Sequence, residues 1–145
     1  MFMRKLPITI CALLMAATAS AQPREAWIRK CQADDAELAG STGYRVCTEL
    51  YVMQLERRQK QLLRQVSARL AGAADDEGTD PKAAAAHLAR SQQHWRRYVT
   101  EHCRAAQAMF GTGHTSGAAV PSCMAGEFEL RNRQLGRILQ GDYER

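Results

Sequence analysis

Residues 80–111 read DPKAAAAHLARSQQHWRRYVTEHCRAAQAMFG. Asp80 carries an oxygen suited to capping free N–H groups at a helix start. Pro81 suits the first helical position, where its missing N–H has no partner to lose. Neither Gly nor Pro interrupts residues 82–110, and Gly111 is the residue type that commonly closes a helix in the left-handed conformation. At 1.5 Å per residue the stretch predicts a rod of roughly 45 Å. Ala84, Leu88, Trp95, Val99, Cys103, Ala106 and Phe110 recur at steps of three, four and seven, so they share one face. Trp95 and Tyr98 belong to this face, which reads as core packing rather than as a ligand platform.

Working outward, a second long helix is expected over residues 42–70. Cys47, Tyr51, Leu55, Leu62, Val66 and Leu70 form its stripe, widened by Leu50 and Leu63, while Arg57, Arg58, Lys60, Arg64 and Arg69 line the outer face. Residues 73–79, rich in acid and glycine, read as a solvated turn, and so short a link favours an antiparallel hairpin. On the other side, residues 111–120 (GTGHTSGAAV) show no periodicity. Pro121 then opens a third helix with Cys123, Leu130 and Ile138 on one side, Phe128, Leu135 and Leu139 widening it, and Gly141 ending it. Before the hairpin, a short helix runs from about Pro23 towards Cys31, a further turn covers residues 34–38, and Gly40-Ser41-Thr42-Gly43 reads as a break. No strand pattern or internal repeat is present. The expected fold is all-α: a small disulfide-stapled bundle with a long antiparallel hairpin, a third helix and a short N-terminal helix.

Residues 1–21 have the layout of a cleavable signal peptide: Arg4 and Lys5, an apolar run, then Ala19-Ser20-Ala21. The run is about half the roughly 20 residues a bilayer span needs, so no stable membrane insertion is expected after cleavage. Cys11 lies within the run and is expected to leave with it. Residues 22–145 are expected to form one helical domain in the periplasm or outside the cell. Cleavage after Ala21 removes two of the twenty cations and none of the fifteen acids, leaving a formal charge of +3. Charges alternate in sign along the helices, which argues against nucleic acid as a partner. Cys31, Cys47, Cys103 and Cys123 remain, an even number that predicts two disulfides in an exported chain. Four cysteines allow three pairings. Hairpin geometry puts Cys47 and Cys103 near one level and favours Cys47–Cys103 with Cys31–Cys123, followed by Cys31–Cys103 with Cys47–Cys123.

No residue set suits catalysis. His87, His94, His102 and His114 lack the three- or four-residue spacing that lets two imidazoles on one helix reach one ion. His102 adjoins Cys103, but a bonded cysteine is no nucleophile. Ser91, Ser116 and Ser122 lack a nucleophile-elbow context. No cofactor motif is found. The glycine-rich loop, with Gly111, Gly113, His114 and Gly117 and with Arg104 beside it, is the candidate partner-binding segment, since binding residues often sit on loops held by a rigid scaffold.

Cys31, Cys47-x-x-x-Tyr51, Gln92-x-x-Trp95-x-x-Tyr98-x-x-x-x-Cys103, the glycine-rich loop, Cys123, Arg131 and Leu135 together resemble the LprI-type lysozyme-inhibitor family, over residues 31–139. The family often has Arg-Asp where this chain has Val99-Thr100. It often has Leu-Asn-x-x-Tyr where this chain has Gln59-Lys60-Gln61-Leu62-Leu63. The resemblance implies a cysteine-stapled helical bundle of the cell envelope that binds a lysozyme or another peptidoglycan hydrolase and is not an enzyme. A glycosidase cleft holds two carboxyl groups, which a loop or a basic side chain can occupy. A charge of +3 gives no long-range attraction to a basic lysozyme, so recognition has to be local. The alternative reading is an envelope adaptor or structural module for a different protein partner.

Overall fold

A computed structural model of the chain describes residues 24–72, 78, 80–110 and 116–142. Among them are four α-helices and no strand: α1 (Arg24–Asp34), α2 (Gly40–Gly72), α3 (Pro81–Phe110) and α4 (Ala119–Gln140). Short 3-10 turns at Ala36–Leu38 and Ser116–Ala118 precede α2 and α4. The expected signal peptide, the turn at 73–77 and loop positions 111–115 lie outside the described residues.

The ends of the helices follow local chemistry. Asp80 Oδ1 accepts from the Ala83 N–H at 2.9 Å, so the expected cap is in place at the start of α3. Gly141 ends α4 at φ 78°, and its N–H reaches back to Arg137 and Ile138 carbonyls. The expected break at 40–43 is instead the first turn of α2, and the chain reverses at 35–39, where Asp35 accepts from the Glu37 N–H at 2.9 Å. Gly43 is needed there, because a Cβ would collide with the Leu38 carbonyl. Pro121 stands inside the first turn of α4 and not at its head.

Side-chain contacts set the topology. Gln59 meets Gln92 and Glu56 meets Arg96, so α2 and α3 run antiparallel. Tyr51 meets Glu129 and Leu55 meets Asn132, so α4 runs parallel to α2. Trp95 packs on Phe128, with ring centres 5.0 Å apart and planes at 87°, and α4 lies antiparallel to α3. The main packing partner of α2 is α4, more than its hairpin mate. Leu62, Val66 and Leu135 form the buried centre, with Leu63, Leu70, Leu88, Ile138 and Leu139 around it.

Several stripes need correction. The buried row of α4 runs Pro121, Ala125, Phe128 and Leu135, and Leu130 faces outward. Leu50 is likewise exposed on α2, whereas Gln59, absent from the expected stripe, is fully buried. On α3, Val99 and Cys103 are buried but Tyr98 is 52% and Phe110 68% exposed. Phe110 stands free because the last turn of α3 overhangs the start of α4.

The disulfide pairing also differs from the favoured one. Cys31 bonds Cys47 and Cys103 bonds Cys123, with Cα atoms 5.9 and 5.6 Å apart. The α2–α3 register does put Cys47 level with the neighbourhood of Cys103. Yet the five-residue link at 35–39 folds α1 straight back onto α2, and α4 enters beside α3. Each sulfur therefore meets the helix nearest to it in sequence. Closing rings with separations of 16 and 20 residues is worth about 3 kcal/mol apiece in the chain-entropy model. The double variant Cys103→Ser/Cys123→Ser should lose about that much in urea unfolding while its helical circular dichroism persists. An unchanged unfolding midpoint would contradict this.

Candidate functional site

Two polar clusters fix how α4 sits between its neighbours. In the first, Glu129 of α4 takes a forked bond from Arg24 of α1, Nη2 to Oε2 at 2.9 Å and Nε to Oε1 at 3.2 Å. The Tyr51 hydroxyl of α2 donates to Oε1 at 3.1 Å, and Trp27 packs on the Tyr51 ring at 5.2 Å. Arg24 also donates to the Ser122 carbonyl. One carboxylate thus joins three helices through charge-assisted bonds. The hydrogen bond it donates to Glu129 holds the Arg24 guanidinium above its ordinary range. Burial, and then the Glu129 charge, push the Tyr51 hydroxyl up to about 12.

The second cluster passes a hydrogen bond through the interior. Arg131 Nε donates to Gln92 Oε1 at 3.2 Å, and Gln92 Nε2 donates to Gln59 Oε1 at 2.8 Å. Arg131 also donates to the Ser91 hydroxyl and to Gln134 Oε1. Burial lowers the affinity of Arg131 for its proton. Among the described residues Gln59 Nε2 has no acceptor, an unpaired donor of the kind a folded chain rarely keeps. Of the motif residues, Tyr51, Gln92, Trp95, Arg131 and Leu135 therefore hold helices together, and Tyr98 does not.

Exposed aromatic and apolar side chains gather towards the end where α3 finishes and α4 begins. The Cys103–Cys123 bond ties these two helices just inside the loop at 111–115. Beside the loop, Met109 is 87% exposed, an unusual placement for a large apolar side chain. Tyr98, His102 and Met109 lie at steps of four and seven, so they form one outward row. The Tyr98 and His102 rings stack at 5.2 Å with planes 14° apart, and His102 Nε2 stands 3.6 Å from Glu127. Arg104 is exposed and pairs with Glu101 at 2.9 Å. Gly117 is exposed near Arg45. Gly111, Gly113 and His114 lie outside the described residues. His87 is an exposed neighbour of Arg90, and among the described residues no three His, Cys, Asp or Glu groups converge on a metal position.

Sequence reading missed Glu129, Gln59 and Arg24. Gln59 carried a signal, since it stands four residues after Leu55 and three before Leu62 in an otherwise apolar row. Glu129 and Arg24 carried none, because their pairing spans 105 residues.

These features define a class: a helical scaffold stapled twice at one end, with an exposed aromatic and apolar row beside the staple. The chain matches the family model for lysozyme inhibitor LprI over residues 16–135, and so belongs to the LprI lysozyme inhibitor family. No curated protein and no solved structure matches it. The family's activity is inhibition of lysozyme by binding it, rather than an enzymatic reaction. Family and disulfides together point to an oxidising compartment, extracellular or periplasmic. No described helix is long and apolar enough to cross a membrane.

The raised Tyr51 hydroxyl sets a pH dependence. The folded protein holds that proton more tightly than the unfolded chain, for which the ordinary value is 10.0. The resulting stability is complete below about pH 10 and drains as pH climbs towards 12. Between pH 9 and 11 the native protein should lose about 1 kcal/mol more than Tyr51→Phe in urea unfolding. Parallel losses in the two proteins would contradict the assignment.

Proposed function

We propose that the mature protein, exported by cleavage after Ala21, inhibits a lysozyme-type peptidoglycan hydrolase by binding across its cleft with the end of the bundle that Cys103–Cys123 closes. Family membership is the observation that carries this reading. The geometry agrees with it. A rigid pair of helix ends supports residues 111–120, and the row of Tyr98, His102 and Met109 stands exposed beside them. Tyr and Met are side chains that interfaces use at their centres, because they offer large contact area.

The described flank supplies a cation as well. Among the described residues Arg104 is bound only to Glu101, and both side chains are mostly exposed. Such surface pairs contribute little, so a partner carboxylate can replace Glu101 with small loss. The glycine-rich segment with His114 enters the cleft in this reading, and Arg104 approaches one of the cleft's two carboxyl groups. Binding there blocks the substrate without any bond-making by the inhibitor.

Purified mature protein should lower lysozyme turnover at near-stoichiometric ratios. Replacing residues 111–115 with a glycine-serine linker of equal length should abolish this while both disulfides still form. Met109→Glu should weaken inhibition about tenfold or more, the effect of losing an interface anchor, without a change in stability. Full turnover across several lysozyme classes at micromolar protein would refute the function. Inhibition that survives both variants would move the contact to another face.

A further inference from the structure

A groove of about 520 Å³ opens between α1, α2 and α4, within the usual size range of small-molecule sites. It is not part of the end assigned to the hydrolase. Along α4 it lies at Glu129, Asn132, Arg133 and Gly136, and Gly136 stands roughly 25 Å up the helix from the loop junction at Ala119. Leu55 and Leu62 of α2 give it an apolar wall.

Two observations give the groove a purpose. The first is charge. Its lining holds Arg24, Arg58 and Arg133 against Glu25 and Glu129, an excess of one positive charge. Arg24 and Glu129 neutralise each other at 2.9 Å. Among the described residues Arg58 donates only to the uncharged Gln61, and Arg133 makes no ion pair. Glu25 is exposed and offsets one of these two cations.

The second observation is Gly136. It lies inside α4, where glycine is the poorest helix former short of proline. Packing does not call for it, because a Cβ built there meets no atom within 4 Å. The missing side chain leaves space that belongs to the groove.

We propose that this groove binds a small amphiphilic carboxylate of the medium-chain fatty-acid type, its head group held by Arg58 and Arg133 and its aliphatic chain lying along Leu55 and Leu62 over Gly136. One carboxylate cancels the excess charge of the lining. The apolar wall takes a chain that gains free energy by leaving water. Glu129 does not repel the head group strongly, since Arg24 and the Tyr51 hydroxyl already bind it.

The test is isothermal titration of the mature, oxidised protein with sodium dodecanoate at submicellar concentration, alongside dodecanol and dodecyltrimethylammonium. Saturable binding of one dodecanoate per chain is expected, at least tenfold tighter than either analogue. Arg58→Gln/Arg133→Gln should weaken dodecanoate tenfold or more and leave dodecanol unaffected. Gly136→Leu should abolish binding with helical content and both disulfides retained. Gly136→Ala, a smaller filling that favours the helix, should weaken binding without lowering the melting temperature. Hydrolase inhibition should be unchanged in the Gly136 variants, which separates this site from the inhibitory one. The proposal is overturned by an absence of saturable binding, by equal affinity for the three amphiphiles, or by native-like binding in Gly136→Leu. Loss of hydrolase inhibition in Gly136→Leu, with no dodecanoate bound by the native protein, would give the groove to the protein partner instead.

Discussion

Both covalent crosslinks in this protein join helices that follow one another in the chain, α1 to α2 and α3 to α4. No sulfur bond spans the long α2–α3 hairpin. Closing the hairpin therefore falls to non-covalent packing, and α4 supplies it. This helix lies parallel to α2 and antiparallel to α3, burying Ala125, Phe128 and Leu135 between them. Hydrophobic burial is non-directional and would let α4 slide or turn. The Glu129 cluster and the Arg131–Gln92–Gln59 chain remove that freedom, since each fits one register only.

The two kinds of constraint divide the molecule. Sulfur bonds restrain the end where α1 meets α2 and where α3 meets α4. Pre-organisation of this kind favours binding, because less freedom is lost when a partner arrives. Further along the bundle, polar contacts set the spacing of α1, α2 and α4 and leave the groove beside Gly136 unfilled. One scaffold thus carries a disulfide-restrained end and, further along, a lateral groove.

Much of the architecture was legible in the residues. Asp80-Pro81 and Gly141 marked helix ends, and Cys47, Tyr51, Leu62 and Val66 marked the inner row of α2. Inner rows were misjudged where a helix is clasped from two sides or runs past its neighbours. Leu130 sits opposite the row that faces both α2 and α3, and Phe110 overhangs. Sulfur pairing was misjudged because level along a hairpin says nothing about which helix a short link folds back first. The motif of Gln92, Trp95 and Arg131 was visible as a pattern, but its meaning as an interhelical network needed Gln59 and Phe128 beside it. The glycine-rich segment stood out by composition, three glycines among ten residues, whereas the exposed row of Tyr98, His102 and Met109 emerged only once the inner face of α3 was known.

That the staples are local, leaving the hairpin to packing, can be tested directly on the oxidised protein. Trypsin cleaves after Arg45 and after Arg104, which separates the members of each pair into different peptides. Mass spectrometry without reduction should then find the Cys31 peptide joined to the Cys47 peptide, and the Cys103 peptide joined to the Cys123 peptide. A species joining the Cys47 and Cys103 peptides would contradict the account at its root.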